Sequence, residues 1–224
     1  MPKPTFFNLP SNKRQHLLDE ALREFSHKPY NEVSISSIIK NAQIPRGSFY
    51  QYFDDKMDLY NYLIKTKQAA YLDDWLQAIK NHNGDLFQVF KDYYGDLLLQ
   101  IASSPDANFF RNVFLHMDYK RSQSFNGMIP KKGEFHPDHP PFDRSRFDIL
   151  KDVDTANLKI SSKAEIMTLM HLLSSVFQQV LSYYYLMQQI KPGTWPVEKA
   201  QAQFDQLISW IQFGVQKDKA QEEG

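Results

Sequence analysis

Between residues 46 and 52 the chain sets Arg46, Ser48, Tyr50, Gln51 and Tyr52 around Gly47 and Phe49. Guanidinium, hydroxyl and carboxamide groups at this density offer hydrogen bonds to a polar partner rather than bond-making chemistry. Phe49 and Phe53, four residues apart, share the other face of a short helix, which turns inward. Just upstream, Ile35, Ile38, Ile39 and Ala42 recur at helical spacing, with Ser34 placed as the N-cap. The two helical patterns meet across Gln43-Ile44-Pro45. Two helices joined by so few residues at a steep angle are the geometry that lays the second into the major groove of DNA.

Other chemistries lack their parts. The chain has no cysteine, so a disulfide framework and a thiolate metal site are both excluded, which fits a reducing cytoplasm. His136-Pro137-Asp138-His139 holds two candidate ligands in a proline-rich loop with no further ligands clustered nearby, so no metal site is expected. No Gly-Lys-Ser/Thr phosphate loop, nucleophile elbow or His-Glu-x-x-His run is present, and neither a cofactor nor an enzymatic activity is expected. Prolines at positions 2, 4 and 10 interrupt the place of a signal peptide. No apolar stretch approaches the roughly 20 residues that span a bilayer.

The elements that must position the polar helix are legible as a series of amphipathic helices. One runs from Ser11 to about His27, with an apolar stripe of Leu18, Ala21, Leu22 and Phe25 and with Leu17 beside it, and stops at Pro29. With the helices at 34–42 and 45–53 it makes a three-helix unit, its core drawn from Leu18, Leu22, Phe25, Ile35, Ile38, Ile39, Phe49 and Phe53. Asp54-Asp55-Lys56 caps a long fourth helix reaching Asn81. Further helices are expected over about 85–103, 106–119, 143–152, 161–190 and 195–215, with a loop of Pro130, Pro137, Pro140 and Pro141 over 124–143. No stretch alternates as a strand does. The fold class is all-α, about nine helices in total.

The 224 residues carry 26 basic and 26 acidic side chains, so no global field draws in nucleic acid. Residues 1–53 are nonetheless mildly basic: Lys3, Lys13, Arg14, Arg23, Lys28, Lys40 and Arg46 face only Asp19, Glu20, Glu24 and Glu32. With 17 Phe and 12 Tyr the interior is rich in rings. Trp75, Phe90, Tyr94, Phe110, Phe114, His116, Met117, Met170, Phe177 and Tyr184 are core residues in one reading and the lining of a site for a small lipophilic or aromatic ligand in the other. The helix at 162–190 is apolar on more than one face, as is a helix that serves both a core and a partner. Paired with the last helix it suggests a dimer interface, with Leu173, Val180, Phe204, Ile208, Trp210 and Ile211 as candidate contacts.

The run Ile-x-x-Ile-x-x-x-Ala-x-Ile-x-Arg-Gly-Ser-Phe-Tyr-x-Tyr-Phe-x-x-Lys-x-x-Leu, Ile35 to Leu59, resembles the DNA-binding domain of the tetracycline-repressor (TetR) family. The resemblance implies a helix-turn-helix domain over residues 1–55 and a helical ligand-binding and dimerisation domain over 56–224. It implies a homodimeric transcriptional regulator, a repressor in most of the family, that binds a palindromic double-stranded operator and is released by a small molecule. Carried over by position, Arg46, Gly47 and Ser48 open the recognition helix, with Arg46 on a guanine. Tyr50, Gln51 and Tyr52 reach bases or phosphates, Ser34 and Ser36 hold the opposite strand, and Lys56 with the start of the fourth helix holds a phosphate. Two positions depart from the family pattern: Gln43 stands where glycine is common in the turn, and Pro45 where serine or threonine caps the second helix. Two rival readings are a helical dimer that binds a protein partner and uses the run only structurally, and a helical enzyme.

Overall fold

The computed structural model describes residues 2–69, 71–116 and 151–215, and within them all regular structure is helical. The elements are α1 (Pro4–Phe7), α2 (Ser11–His27), α3 (Ile35–Asn41), α4 (Arg46–Tyr52), α5 (Lys56–Ala69), α6 (Leu72–Asn81), α7 (Leu86–Ser103), α8 (Ala107–Leu115), α9 (Lys163–Ile190) and α10 (Val197–Phe213). The all-α class is as expected; the helix number is higher, for two local reasons. The N-terminal arm is not merely a lead-in, because Pro4 opens a turn of helix that buries Phe6 completely. The expected long fourth helix is two helices, α5 and α6. There the Tyr71 N–H closes on the Gln68 carbonyl at 3.1 Å, a three-residue closure where an α-helix closes over four.

Two compact units result, Met1–Gln77 with Ile101–Lys151, and Ala78–Gln100 with Asp152–Gly224. In the first, α2 packs against α3, α5 and α8. Its buried stripe is Leu17, Ala21 and Phe25, while Leu18 and Leu22 stay half-buried. The stripe is therefore centred one residue away from the expected one: a helix covered from several sides has two adjacent apolar series to choose from, and its neighbours choose. Ile38, Phe49 and Phe53 are fully buried as expected, joined by Phe6, Val33, Ala42 and Leu59, whereas Ile35 and Ile39 are half-buried. The Phe6 ring lies 4.9 Å from that of Phe53 and 5.5 Å from that of Tyr62.

In the second unit a capping box starts α9. The Ser162 hydroxyl accepts from the Glu165 N–H at 3.3 Å, and the Glu165 carboxylate accepts from the Ser162 N–H at 3.0 Å. The α9 helix packs against α10, which buries Ala200, Phe204 and Ile208 at four-residue spacing. Gly84 (φ +84°) is required where it stands, since a Cβ there would lie 2.2 Å from the Asp152 carbonyl oxygen. The loop at 124–143 with His136, Asp138 and His139, Met117, and all but the last two residues of the helix expected at 143–152 lie outside the described residues. No described helix is long and apolar enough to cross a membrane.

Candidate nucleic-acid interface

Ser34 caps α3, its hydroxyl accepting from the Ser37 N–H at 3.1 Å, and Ile38 fixes the helix to the core. The helix then closes with two reversed bonds: Ile44 N–H to the Ile39 carbonyl at 3.0 Å and Gln43 N–H to the Lys40 carbonyl at 3.3 Å. This Schellman closure needs a left-handed residue, and Gln43 supplies it at φ +55°. Pro45 follows as the N-cap of α4, with the extended backbone of a helix start (φ −59°, ψ 146°) and no capping side chain. Both departures from the family pattern are thus accommodated without losing the turn.

On α4, Phe49 is fully buried, with Phe53 just beyond the helix end, and their ring centroids lie 5.8 Å apart. The opposite face is open. The Arg46 guanidinium donates to the Ser36 hydroxyl across the turn at 3.2 Å and to the Tyr50 hydroxyl one turn along at 3.4 Å, with its carbon 5.9 Å from the Tyr50 ring centroid. Ser36, Arg46, Tyr50 and Gln51 are all exposed, so α3 and α4 present one continuous polar patch with a held, not free-swinging, guanidinium. Ser34 is exposed and Ser48 half-buried at the margins. A Cβ on Gly47 would meet nothing within 4 Å. Glycine there satisfies no internal packing demand, and the space above it is open to whatever approaches.

Two of the expected contact residues also have partners within the chain. The Lys56 ammonium donates to the Tyr30 carbonyl at 2.7 Å and the Val33 carbonyl at 2.6 Å, and lies 4.4 Å from the Tyr30 ring centroid. Its side chain ties the segment before α3 to α5. Two carbonyls and a ring are a better-defined site for an ammonium than open solvent. Tyr52 is half-buried, its ring 6.2 Å from that of Phe6. The start of α5 is capped by Asp55, which accepts from the Asp58 N–H at 2.8 Å.

Of the candidate ligand residues, Trp75, Phe110, Phe114 and His116 belong to the first unit and Phe90, Tyr94, Met170, Phe177 and Tyr184 to the second. Phe90 and Tyr94 stack at 4.4 Å, Tyr94 meets Phe177 edge-on at 5.0 Å, and Phe177 meets Phe204 at 5.9 Å. Burial holds the Tyr94 hydroxyl well above the ordinary phenol range, although its bond to Ser174 opposes this. Trp75 is buried with no hydrogen-bond partner for its indole nitrogen. His116 is exposed and Tyr184 half-buried, so neither lines a closed interior within its unit.

The candidate dimer contacts also need correction. Leu173, Val180, Phe204 and Ile208 are at most 1% exposed, buried within the chain itself and unavailable to a partner. Ile211 is half-buried and Trp210 exposed. On these two helices the large apolar side chains left exposed are Leu172, Tyr183, Leu186 and Ile190 on α9 and Trp210 and Phe213 on α10. On α9 these four fall on one helical line, beside the buried stripe. The apolar pattern announces both faces of such a helix and does not say which is internal. Sequence reasoning also missed Lys3, Thr5 and Phe6, whose partners on α4 and beyond lie some 45 residues or more away.

Two family models match the chain. Bacterial regulatory proteins, tetR family, covers residues 17–63, and Tetracyclin repressor-like, C-terminal domain, covers residues 85–215, more than half of the chain. The chain is 27% identical over 103 residues to the HTH-type transcriptional regulator AcrR of Shigella flexneri, covering 46% of this chain and 48% of that protein. It is 26% identical over 106 residues to the biofilm operon icaADBC HTH-type negative transcriptional regulator IcaR of Staphylococcus epidermidis, covering 42% and 56%. It thus spans about half the length of the curated relatives it matches. Among solved structures it resembles the fatty acid degradation regulator FadR from Bacillus halodurans, with a TM-score of 0.58 at 15% identity over 94% of this chain and 100% of that one. It also resembles the transcriptional regulator FadR from Bacillus subtilis in complex with stearoyl-CoA, with 0.56 at 13% identity over 90% and 99%. At these identities the likeness is one of fold. One family model falls on the helix-turn-helix and the other on most of the chain beyond α6, in the order of a single regulator, and the chain therefore belongs to the TetR family of transcriptional regulators.

Proposed function

We propose that the protein is a cytoplasmic homodimeric repressor that reads a palindromic operator with α4 and is released by a small lipophilic or aromatic ligand. Residues 1–55 form the DNA-reading part and 56–224 the regulatory and dimerisation part. The observation that carries the reading is the exposed cluster of Ser36, Arg46 and Tyr50 on a helix whose other face is buried. Arg46 takes a guanine edge. Tyr50, Gln51 and Ser48 take neighbouring bases or phosphates, and Ser34 and Ser36 hold the opposite strand. Open space at Gly47 admits the DNA backbone. Tyr52 adds its half-buried ring at the edge of this surface.

Repression is supported by the relatives named as negative regulators, IcaR and the HTH-type transcriptional repressor NemR of Escherichia coli. A lipophilic ligand is supported by the aromatic row Phe90, Tyr94 and Phe177. The stearoyl-CoA of the Bacillus subtilis neighbour is in keeping with that class. Release is a matter of linkage: a ligand that prefers a conformation unsuited to the operator lowers DNA affinity by the factor by which DNA lowers its own. The exposed apolar line on α9 with Trp210 and Phe213 supports pairing with a second copy.

The test is operator affinity. A duplex selected by the wild-type protein from a random-sequence pool is titrated with Arg46→Ala and Tyr50→Ala, each checked for folding. Each loses roughly 1–3 kcal/mol of binding if it makes a base contact. Wild-type affinity in both folded variants would overturn the assignment of α4.

A further inference from the structure

The last rung inside α4 is the Phe53 N–H on the Phe49 carbonyl, which leaves the carbonyls of Tyr50, Gln51 and Tyr52 without a partner in their own helix. All three are met by the N-terminal segment. The Lys3 ammonium donates to the Tyr50 carbonyl at 2.9 Å, the Thr5 hydroxyl donates to the Gln51 carbonyl, and the Lys3 N–H donates to the Tyr52 carbonyl at 2.8 Å. The same ammonium lies 2.8 Å from an Asp54 carboxylate oxygen and stands at the negative end of the α4 dipole. Phe6, fully buried beside Phe53, anchors the segment, and Arg14 fixes its other end by donating to the Phe7 carbonyl at 3.1 Å.

A helix of seven residues does not hold itself in water. Only Phe49 on α4 is fully buried, so the aim of its exposed side chains depends on how its two ends are held. The N-terminal end has no side-chain cap. The C-terminal end has this clamp.

We propose that Lys3, with Thr5 and Phe6, is a positioning element for DNA recognition: it fixes the last turn of α4, and with it Tyr50 and Gln51, while making no contact with DNA itself. The inference rests on α4 being the recognition helix. Its test therefore has one readout that needs no DNA. In Lys3→Met, backbone hydrogen exchange at Tyr50–Phe53 rises roughly fivefold or more, the measure of a lost C-terminal bond, with α2 and α9 unchanged.

The second readout compares the selected duplex with a random-sequence duplex over a salt series. Lys3→Met lowers affinity for the selected duplex roughly five- to tenfold, as the loss of one well-placed contact does, and leaves random-duplex affinity and the salt slope unchanged. Asp54→Asn, which keeps the bonds to the carbonyls, retains most of the selected-duplex affinity. A direct phosphate contact by Lys3 would instead weaken both duplexes and reduce the salt slope by about 1, which overturns the proposal. Wild-type exchange at Tyr50–Phe53 overturns it as well. If the wild-type protein selects no duplex, the DNA reading fails and recognition has nothing to position, whereas the exchange result still decides whether the clamp exists.

Discussion

The carboxamide of Asn112, on α8, donates to the carbonyl of Phe25, in the last turn of α2, at 2.8 Å. The same nitrogen lies 3.1 Å from the Ser26 carbonyl and 3.2 Å from the Lys28 carbonyl, so one buried side chain serves the open end of α2. Lys67 on α5 pairs with Asp106, just before α8, at 2.5 Å, a second tie within the same unit. The helix-turn-helix is therefore built on an α2 whose C-terminus is held from a segment more than eighty residues along the chain.

Asn112→Leu removes the donor and leaves those carbonyls facing an apolar side chain. It is expected to cost about 1–3 kcal/mol, the penalty of unsatisfied buried acceptors. Asn112→Asp is expected to cost more at neutral pH, because a carboxylate cannot donate and would face oxygen atoms. Urea unfolding measures both as a shifted midpoint at constant slope.

Gln43→Gly is expected to stabilise the protein by about 0.5–1 kcal/mol, since glycine takes the left-handed backbone without the Cβ penalty incurred at φ +55°. Gln43 is exposed and the closing bonds of the turn are backbone bonds, so operator affinity is expected to stay at the wild-type level. Thermal unfolding and operator titration together check this; a loss of stability would mean that the glutamine side chain contributes more than its backbone costs.

On the proposed dimer face, Leu186→Glu and Trp210→Glu place a charge where an apolar side chain is now exposed. Both are expected to give folded monomers by light scattering, with unchanged helix content by circular dichroism and much weaker operator binding. Leu173→Ala, by contrast, removes a side chain buried within the chain and is expected to cost about 2–5 kcal/mol of stability whether or not a dimer forms.

Local rules make much of this protein legible in its sequence. Ser34 caps its helix because a serine oxygen satisfies an N–H two or three residues on, and Phe49 and Phe53 share a face because four residues make about one turn. Whatever depended on neighbours distant in sequence was decided by tertiary packing. The choice of Leu17 over Leu18 and Leu22 belongs to the helices that cover α2, and the choice of Leu173 over Leu172 to those within the second unit. Lys56 turns inward because the carbonyls of Tyr30 and Val33 converge on it, more than twenty residues upstream. Lys3 and Asn112 are ordinary polar residues in sequence; only the fold brings each beside an open helix end, where a carbonyl without a partner determines what a donor is for.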